Sequence, residues 1–357
     1  MGAGIAGASA ALQLSQHQKV LLIEAKKTAA GASGVAGGLF SPMIALRGRP
    51  VWHIDEAIDA FHQQLALASA SHLFDHRGVI RPAKDEQQVA FFKQSAEMCP
   101  RHAEWWSADE TKERFPKVHA PLGTLFAKTG GAFSTTVFCQ QMVAAAVKNG
   151  ATFIDQQKVL GWGATPDKAW ISVANDNASD EISEKHARID IMADRVVLAI
   201  GRAFFDQPFQ DLDLHAVKGQ TIRIKRPAWL NYDDLPPASS QGYIIPEEHT
   251  LAIGSSFEHT FDDDAISRSV SQLILKKVSA LIPRLIESPI IEEHVGIRVT
   301  VPKIRLPMVG SYRGRIWVFT GFGSKGLLLA PMLASQLHDY FQQPALIPQE
   351  IKVRVKT

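Results

Sequence analysis

Cysteine is scarce in this chain. Cys99 and Cys139 are the only two among 357 residues, and they fit no metal or redox spacing, so buried thiols in a reducing compartment are expected. Net charge is also small, at +2 with a pI near 8.4, below the basicity that by itself points to nucleic acid; nucleic acid is permitted, not indicated. Long apolar runs are missing: the greasiest stretch, 327–334, is far short of a membrane span and contains Pro331. The first residues lack the charged segment of a secretory signal, so a cytoplasmic setting is expected. No H-E-x-x-H or paired ligand spacing occurs among the 13 histidines, and no G-x-S-x-G elbow is present. The three acids Asp262, Asp263 and Asp264 lack the further ligands of a metal loop and read as a solvated turn. No metal is therefore expected.

What is present begins at once. Gly2, Gly4 and Gly7 form G-x-G-x-x-G, and the run 20–24 (VLLIE) ends on Glu24. In a dinucleotide site the first glycine permits a tight turn and the second lets backbone approach a pyrophosphate. The third lets the following helix pack on a sheet, with its N-terminus facing the phosphates. Glu24 stands where an acid accepts hydrogen bonds from an adenosine ribose. One element is missing from this pattern. The motif ordinarily follows a buried strand, yet Met1 directly precedes Gly2. Apolar side chains in such a strand contribute on the order of 1.5–3 kcal/mol each. Its absence marks either a start that lies upstream of Met1, which is the expectation, or the loss of a central strand.

At 357 residues with 46% hydrophobic and 21% charged, the composition is that of a globular chain large enough for two lobes. Helices are expected over 5–15, 54–74, 135–149 (closed by Gly150) and 266–282, from apolar residues at helical spacing. A second small-residue loop, 31–39, follows the VLLIE strand. Short strands are expected at 151–154, 159–163 and 170–173, then a buried strand in 193–201 ending on Gly201, the kind of strand end at which doubly wound folds bind ligands. The segment 175–185 reads as an exposed loop. Alternation over 219–225, 242–246 and 251–256 suits antiparallel strands. Mixed, polar 78–125, with Trp105 and Trp106 as packing residues, reads as part of a second lobe.

These segments resemble the D-amino-acid oxidase/glycine oxidase superfamily of FAD enzymes over nearly the whole chain. The resemblance rests on GAGIAG…VLLIE with GASGVAGGL at the head and ADRVVLAIG and KGQ in the middle. The tail is its most specific part: Gly296-Ile-Arg298-Val-Thr, Arg305-Leu-Pro307-Met-Val-Gly310, and Thr320-Gly-Phe-Gly-Ser-Lys-Gly326-Leu-Leu-Leu-Ala-Pro331. With Gly242-Tyr-Ile-Ile-Pro246 and Gly254-Ser-Ser-Phe257, that tail is most similar to two groups. One is glycine oxidase; the other is the FAD-dependent oxidase half of the bifunctional enzyme that makes 5-methylaminomethyl-2-thiouridine in tRNA.

The resemblance implies an α/β fold. A Rossmann-like FAD lobe (1–77, 132–215 and 296–345), its first strand truncated, joins a largely antiparallel substrate lobe (78–131 and 216–295), with a tail at 346–357. It implies noncovalent FAD, since no cysteine occurs in the tail turn. The implied cofactor-binding residues are Gly2, Gly4, Ile5, Ala6, Gly7, Glu24, Ala25, Ser33, Gly34, Gly37, Gly38, Leu39, Val159, Gly201, Gly321, Gly323, Ser324, Lys325, Gly326 and Leu327. Arg298 matches the arginine that clamps a substrate carboxylate, and its fork suits bidentate recognition; the structural alternative is an ion pair to Glu292 or Glu293. Tyr243 matches a pocket-lining position with its hydroxyl available. Ser41, Phe257 and Lys325 line the same pocket. Phe257 stands where glycine oxidase has methionine, and an aromatic there is more similar to the tRNA enzyme.

The implied reaction is oxidation of a C–N bond in an amine bearing a carboxylate, with hydride leaving to the flavin, the imine hydrolysed by water, and oxygen as acceptor. Partners are then a small-molecule amine and oxygen, with tRNA as the alternative substrate carrier and no membrane. A noncatalytic nucleotide-binding protein is the reading from another class. A NAD-dependent dehydrogenase accounts for the opening motif but leaves the tail unexplained.

Overall fold

The computed structural model describes residues 1–174, 188–205 and 209–356; the loop expected at 175–185 lies outside the described residues. The opening glycines turn directly into the helix Ile5–Leu14. Gly2 adopts φ +89°, and a Cβ at Gly7 would sit inside contact distance of the Gly2 carbonyl oxygen, so only glycines close this turn. Seven of that helix's residues are buried, five of them Gly, Ala or Ser, which lets it lie close against its neighbours. One of those neighbours is the tail helix Gly326–Ser335, so the two ends of the chain share one core.

The parallel strands expected of a dinucleotide lobe are present but divided. Leu21–Ile23 pairs in parallel with Thr152–Ile154. Val196–Leu198 pairs in parallel with Ile316–Thr320, which pairs on its other side with Met308–Arg313. Between the free edges of Leu21–Ile23 and Val196–Leu198 lies a cavity of about 380 Å³, lined by Ala10, Ala11, Leu22, Ile171, Val197 and Phe341 among others. Met1 and Gly2 bridge one end of it. The Met1 amino group donates to Val197 O at 2.8 Å, Ala199 N–H donates to Met1 O at 2.9 Å, and Gly2 N–H donates to Ile23 O at 2.8 Å. The slot therefore has a strand of a parallel pair on either side and a largely apolar lining.

The second lobe is built on an eight-stranded sheet. Its order is Ile290–Thr300, His215–Lys225, Thr250–Gly254, Tyr243–Pro246, Ala238–Ser239, Val79–Pro82, Thr124–Ala127 and Ala103–Trp106, antiparallel except at Ala238–Ser239 with Val79–Pro82. Alternation sorts its faces. Ile222, Ile224 and Ile253 pack with Ile274, Leu275 and Val278 of the helix Arg268–Val278. Residues 217, 219, 221 and 223 point to the other face, toward the glycine-rich loop 31–39, where Thr221 Oγ1 donates to Val35 O at 3.2 Å. The divisions drawn at 215/216 and 295/296 fall inside the two longest strands, His215–Lys225 and Ile290–Thr300, which pair along most of their length.

Two helices are shorter than their apolar spacing suggests. The helix expected over 54–74 is Ile54–Leu67 followed by a 3-10 turn, Ser71–Leu73. Ser69 takes φ +52° and Ala70 N–H donates back to Leu65 O at 2.8 Å, a left-handed termination made without glycine. The helix expected over 266–282 is Arg268–Val278, and Pro283 then opens a separate 3-10 turn. Helix Thr135–Lys148 ends as expected, with Gly150 at φ +97°. Trp106 is a packing residue, stacked on Phe126 at 4.1 Å. Cys139 is fully buried, which pushes its thiol up to about 12, whereas Cys99 is only partly buried. No helix among the described residues is long and apolar enough to cross a membrane.

The slot makes a stability prediction. Joining five apolar, β-branched residues to the amino end of Met1 is expected to raise Tm by several degrees. Burial of about 1.5–3 kcal/mol per side chain exceeds an ordering cost of about 1–2 kcal/mol per residue. A five-residue Gly-Ser extension is the control and is expected to leave Tm within about 1 °C. Equal melting curves for the two would show that the slot accepts no strand.

Candidate functional site

Three separate stretches meet at one place. Gly4 caps the opening helix without any side-chain acceptor, and the first helical donor, Ile5 N–H, is taken by Ser33 Oγ at 2.9 Å. The loop Gly31–Leu39 is thereby tied to the helix start. Glu24 accepts from Ala3 N–H at 2.7 Å and from Lys26 N–H at 2.9 Å. A carboxylate offers about four acceptor positions, so both of its oxygens keep room for hydroxyl donors. Ala25 follows on the exposed side, and Gln157 N–H donates to Glu24 O at 3.0 Å, which brings the strand beginning at Val159 alongside. Gly201 stands just beyond Val196–Leu198 at φ +54°.

The tail turn closes onto this helix start. A Cβ on Gly326 would come 2.8 Å from Ile5 Cγ2, so the tail helix begins against the first turn of the opening helix. Gly321, Gly323 and the exposed Ser324 form the turn, and Leu327 is partly buried. Gly323 N–H donates to Val299 O at 2.8 Å, and Phe322 bridges to Thr300. The turn is therefore bonded to the strand that carries Arg298. Lys325 does not project freely: its Nζ donates to the Arg305 carbonyl. Burial, with Arg305 acting in the same direction, pushes its ammonium below the ordinary lysine value.

Arg298 is the pivotal side chain. It opposes Val217 and lies flat across the neighbouring strand, because position 219 is glycine; a Cβ there would collide with Nη2. Nη2 donates to Ser256 O at 2.6 Å, and Cζ sits 4.2 Å over the Phe257 ring. Burial lowers its pKa, countered by the nearby Tyr243. No carboxylate among the described residues pairs with it. Glu292 is engaged by Arg223 at 3.3 Å and His294 at 3.1 Å, and Glu293 accepts from Ser271 Oγ. The structural ion pair considered from sequence is absent. A largely enclosed guanidinium whose acceptors among the described residues are Ser256 O and, at 3.4 Å, Ser255 Oγ, with no counter-charge, is suited to an anion, since the unpaired state is costly.

The three residues KGQ divide the labour around this group. Lys218 is buried on the opposite face and pairs with Asp263 at 3.4 Å; Gly219 gives Arg298 its bed. Gln220 holds the start of helix Arg268–Val278 by donating to Ser267 O and accepting from Ser267 N–H, both at 2.9 Å. The acidic turn at 262–264 is thus engaged in ion pairs, with Asp264 meeting Arg202 at 3.4 Å. Among the described residues no cluster of three or more His, Cys, Asp or Glu is placed to hold a metal.

Tyr243 lies over Gly254 and Gly37, and its hydroxyl oxygen accepts from Gly37 N–H at 3.0 Å. Burial raises its pKa, with the Gly37 N–H and Arg298 opposing. It bonds the loop that starts at Ser33 to the sheet that carries Arg298. Gly34 and Gly38 pack this loop against Ala29 and Phe133, and Leu39 packs beside Tyr243. Ser41 turns inward on its own backbone, donating to Met43 O at 3.1 Å. Residues that sequence reasoning did not single out as site residues are Gly219, Ser255, Ser256 and Gly254; only strand pairing reveals them.

A dinucleotide with a redox-active ring fits these residues. The helix start is open at Gly4, the ribose-side acid has free acceptor positions, and a second helix start lies at the tail turn beside an unpaired buried cation. The family model described as FAD dependent oxidoreductase (DAO) matches residues 1–339. The tRNA 5-methylaminomethyl-2-thiouridine biosynthesis bifunctional protein MnmC of Maricaulis maris is 26% identical over 345 residues, 94% of this chain and 50% of that protein. The glycine oxidase of Pseudomonas aeruginosa is 24% identical, covering 98% of this chain and 96% of its own. The chain thus spans about half the length of the first of these relatives and nearly all of the second. Among solved structures, the glycine oxidase of Geobacillus kaustophilus superposes with TM-score 0.80 at 19% identity, over 96% of this chain and 93% of that one. The iminodiacetate oxidase of Chelativorans sp. BNC1 does so at 0.80 and 20%, over 99% and 97%.

The Ile5–Gly326 contact is directly testable. Gly326→Val pushes methyl groups into Ile5 and is expected to cost about 1–3 kcal/mol, read as a fall in Tm. Adding Ile5→Ala is expected to recover part of that loss, so that the double variant is more stable than the sum of the two single changes predicts. Strict additivity would show that the two ends do not press on each other.

Proposed function

The chain belongs to the DAO family of FAD-dependent oxidoreductases, and from that premise we propose that it oxidises the C–N bond of an amine bearing a carboxylate. The observation that carries this reading is Arg298, buried without a carboxylate partner and bonded through its strand to the tail turn. In this reading Gly4, Ile5, Ala6, Gly7, Glu24 and Ser33 hold the adenosine and pyrophosphate end of FAD. The turn Gly321–Leu327 holds its ring end, where backbone N–H groups and a helix start favour negative charge. When bound, FAD supplies the hydride acceptor for the substrate's α-carbon.

The chain's own residues then bind and orient. Arg298 accepts the carboxylate on its free guanidinium edge and fixes the α-carbon relative to the tail turn. Tyr243, kept protonated by burial, holds loop 33–38 against the substrate sheet and keeps a hydroxyl proton to donate into the pocket. No side chain is needed as a strong base. A neutral amine's lone pair expels the α-hydrogen as hydride, leaving an imine that water hydrolyses to a carbonyl product and a free amine. Oxygen is the terminal acceptor in this reading and yields hydrogen peroxide; the setting is cytoplasmic.

A second reading keeps the chemistry and changes the carrier. A carboxymethylaminomethyl group on a tRNA uridine is itself an N-substituted glycine, and Arg298 would grip the same carboxylate. Phe257 favours this reading: it is 58% exposed beside the clamp, which leaves room for a substituent much larger than methyl. Peroxide release with glycine, sarcosine or D-alanine separates the small-substrate reading from the tRNA one. Purified chain that stays colourless after FAD addition would overturn both in favour of a noncatalytic protein.

For the preferred small substrate, Arg298→Ala is expected to raise KM roughly ten- to hundredfold with flavin still bound, the loss of a charge-assisted pair of about 1.5–3 kcal/mol. Gly219→Ala is expected to raise KM in the same direction, because its Cβ takes the space of Nη2. An unchanged KM in Arg298→Ala removes the arginine from substrate binding.

A further inference from the structure

The hairpin that leaves the pocket at Ser41 is held with unusual completeness. Met43–Ile44 pairs with Arg49–Pro50, and its tip is fixed by side chains from the neighbouring strand and helix. Arg81 is buried with no carboxylate partner among the described residues; it donates to Met43 O through Nη1 and to Ala45 O through Nη2, the latter at 2.6 Å. Gln88 Nε2 donates to Leu46 O at 2.7 Å and Ser95 Oγ to Arg47 O at 3.2 Å, both from helix Glu86–Met98. Ala45 takes φ +59°, a left-handed conformation that a non-glycine residue keeps only when its surroundings impose it. Gly48 is buried at φ +62°, where a Cβ would come 2.7 Å from Leu125 Cδ2 and 2.8 Å from Phe92 Cδ1. Three successive carbonyls, 45 to 47, are thus each bonded by a side chain from elsewhere.

What this framework presents outward is Leu46, 70% exposed, with the exposed Arg47 and Arg49 close to it in the chain. Neither arginine has an ion pair among the described residues. Arg47 rests its guanidinium on the Phe91 ring at 4.6 Å, which holds it out from the surface without neutralising it. At the start of that helix Asp85 is committed to capping Gln88 N–H at 2.8 Å and to Lys84 at 3.5 Å. Six residues separate Ser41 from Arg47, so the two lie no more than about 20 Å apart.

We propose that the hairpin Met43–Pro50 is a docking surface for an RNA phosphate backbone, with Arg47 and Arg49 taking phosphates beside a base whose substituent enters the Arg298 site. The proposal rests on the amine-oxidation reading of that site and deepens its second form. Charge complementarity selects the occupant: two uncompensated guanidinium groups suit phosphates, which they can bind through paired N–H donors. A net charge of only +2 calls for a local contact of this kind in place of a broad basic face.

The test uses the FAD-loaded full chain and a fluorescein-labelled anticodon stem-loop RNA, with affinity read by anisotropy at several salt concentrations. Arg47→Glu/Arg49→Glu is expected to weaken binding at least tenfold and to reduce the salt slope by about 1.4–1.8, the value for two lost phosphate contacts. Bound flavin and Tm are expected to stay unchanged, since both side chains are exposed. Arg47→Lys/Arg49→Lys is expected to retain most of the affinity, because charge is kept. Absence of RNA binding by the unaltered chain, or equal binding by the charge-reversed variant, overturns the proposal. Flavin reduction by free carboxymethylaminomethyl-uridine nucleoside, which carries no phosphate, is measured in parallel and reports on the amine-oxidation reading independently of either result.

Discussion

A guanidinium taken out of water without a carboxylate beside it is expensive, and a fold that keeps one must supply something in return. Arg298 is kept by three arrangements that serve little else. Glycine at 219 lets it lie flat, the Ser256 carbonyl takes one of its donors, and the Phe257 ring lies against its flat side. The acids close by are engaged by other partners, Glu292 by Arg223 and His294, and Glu293 by Ser271. The site thus holds an unmet positive charge, and in the proposed function its complement is the substrate carboxylate.

That charge is placed by the same contacts that close the fold. Ile5 meets Gly326, Ser33 bonds Ile5, Gly323 bonds Val299, and Gly37 bonds Tyr243. Each contact joins segments far apart in sequence, so the helix start, the tail turn and the clamp form a single connected unit. The divided sheet behind them is the exception. Leu21–Ile23 and Val196–Leu198 face each other across an open slot; Met1 and Gly2 bridge it by hydrogen bonds, and Ile23 shares a buried cluster with Val196 and Leu198.

Much of this was legible in the sequence because it depends on local pattern. Gly2, Gly4 and Gly7 with Glu24, and the tail glycines before an apolar helix, announce two backbone turns aimed at a ligand. Arg298 announces itself as a charge within an apolar strand. What stayed hidden depends on pairing. Nothing in KGQ tells that Gly219 lies beneath Arg298 until Val217 is found opposite it. The end of helix Ile54–Leu67 was missed because Ser69 makes the left-handed turn that glycine ordinarily makes. The rigidity of the hairpin at 43–50 was equally hidden, since its anchors, Arg81, Gln88 and Ser95, lie well downstream and look like ordinary polar residues.

Tyr243 shows how position narrows a residue's chemistry. From sequence it is a phenol near a substrate, equally suited to accept or to donate a proton. Its oxygen already accepts from Gly37 N–H, and burial raises its pKa, so the ionised form is disfavoured. A second lone pair and its own hydroxyl proton remain, and a phenol held protonated is better suited to donate a hydrogen bond than to act as a base. Removing the hydroxyl would also free the Gly37 N–H, loosening the loop that Ser33 ties to the opening helix. The same atom therefore ties the sheet that carries Arg298 to the loop held by Ser33, so in the proposed function any effects on substrate orientation and on nucleotide seating are not separable by altering Tyr243 alone.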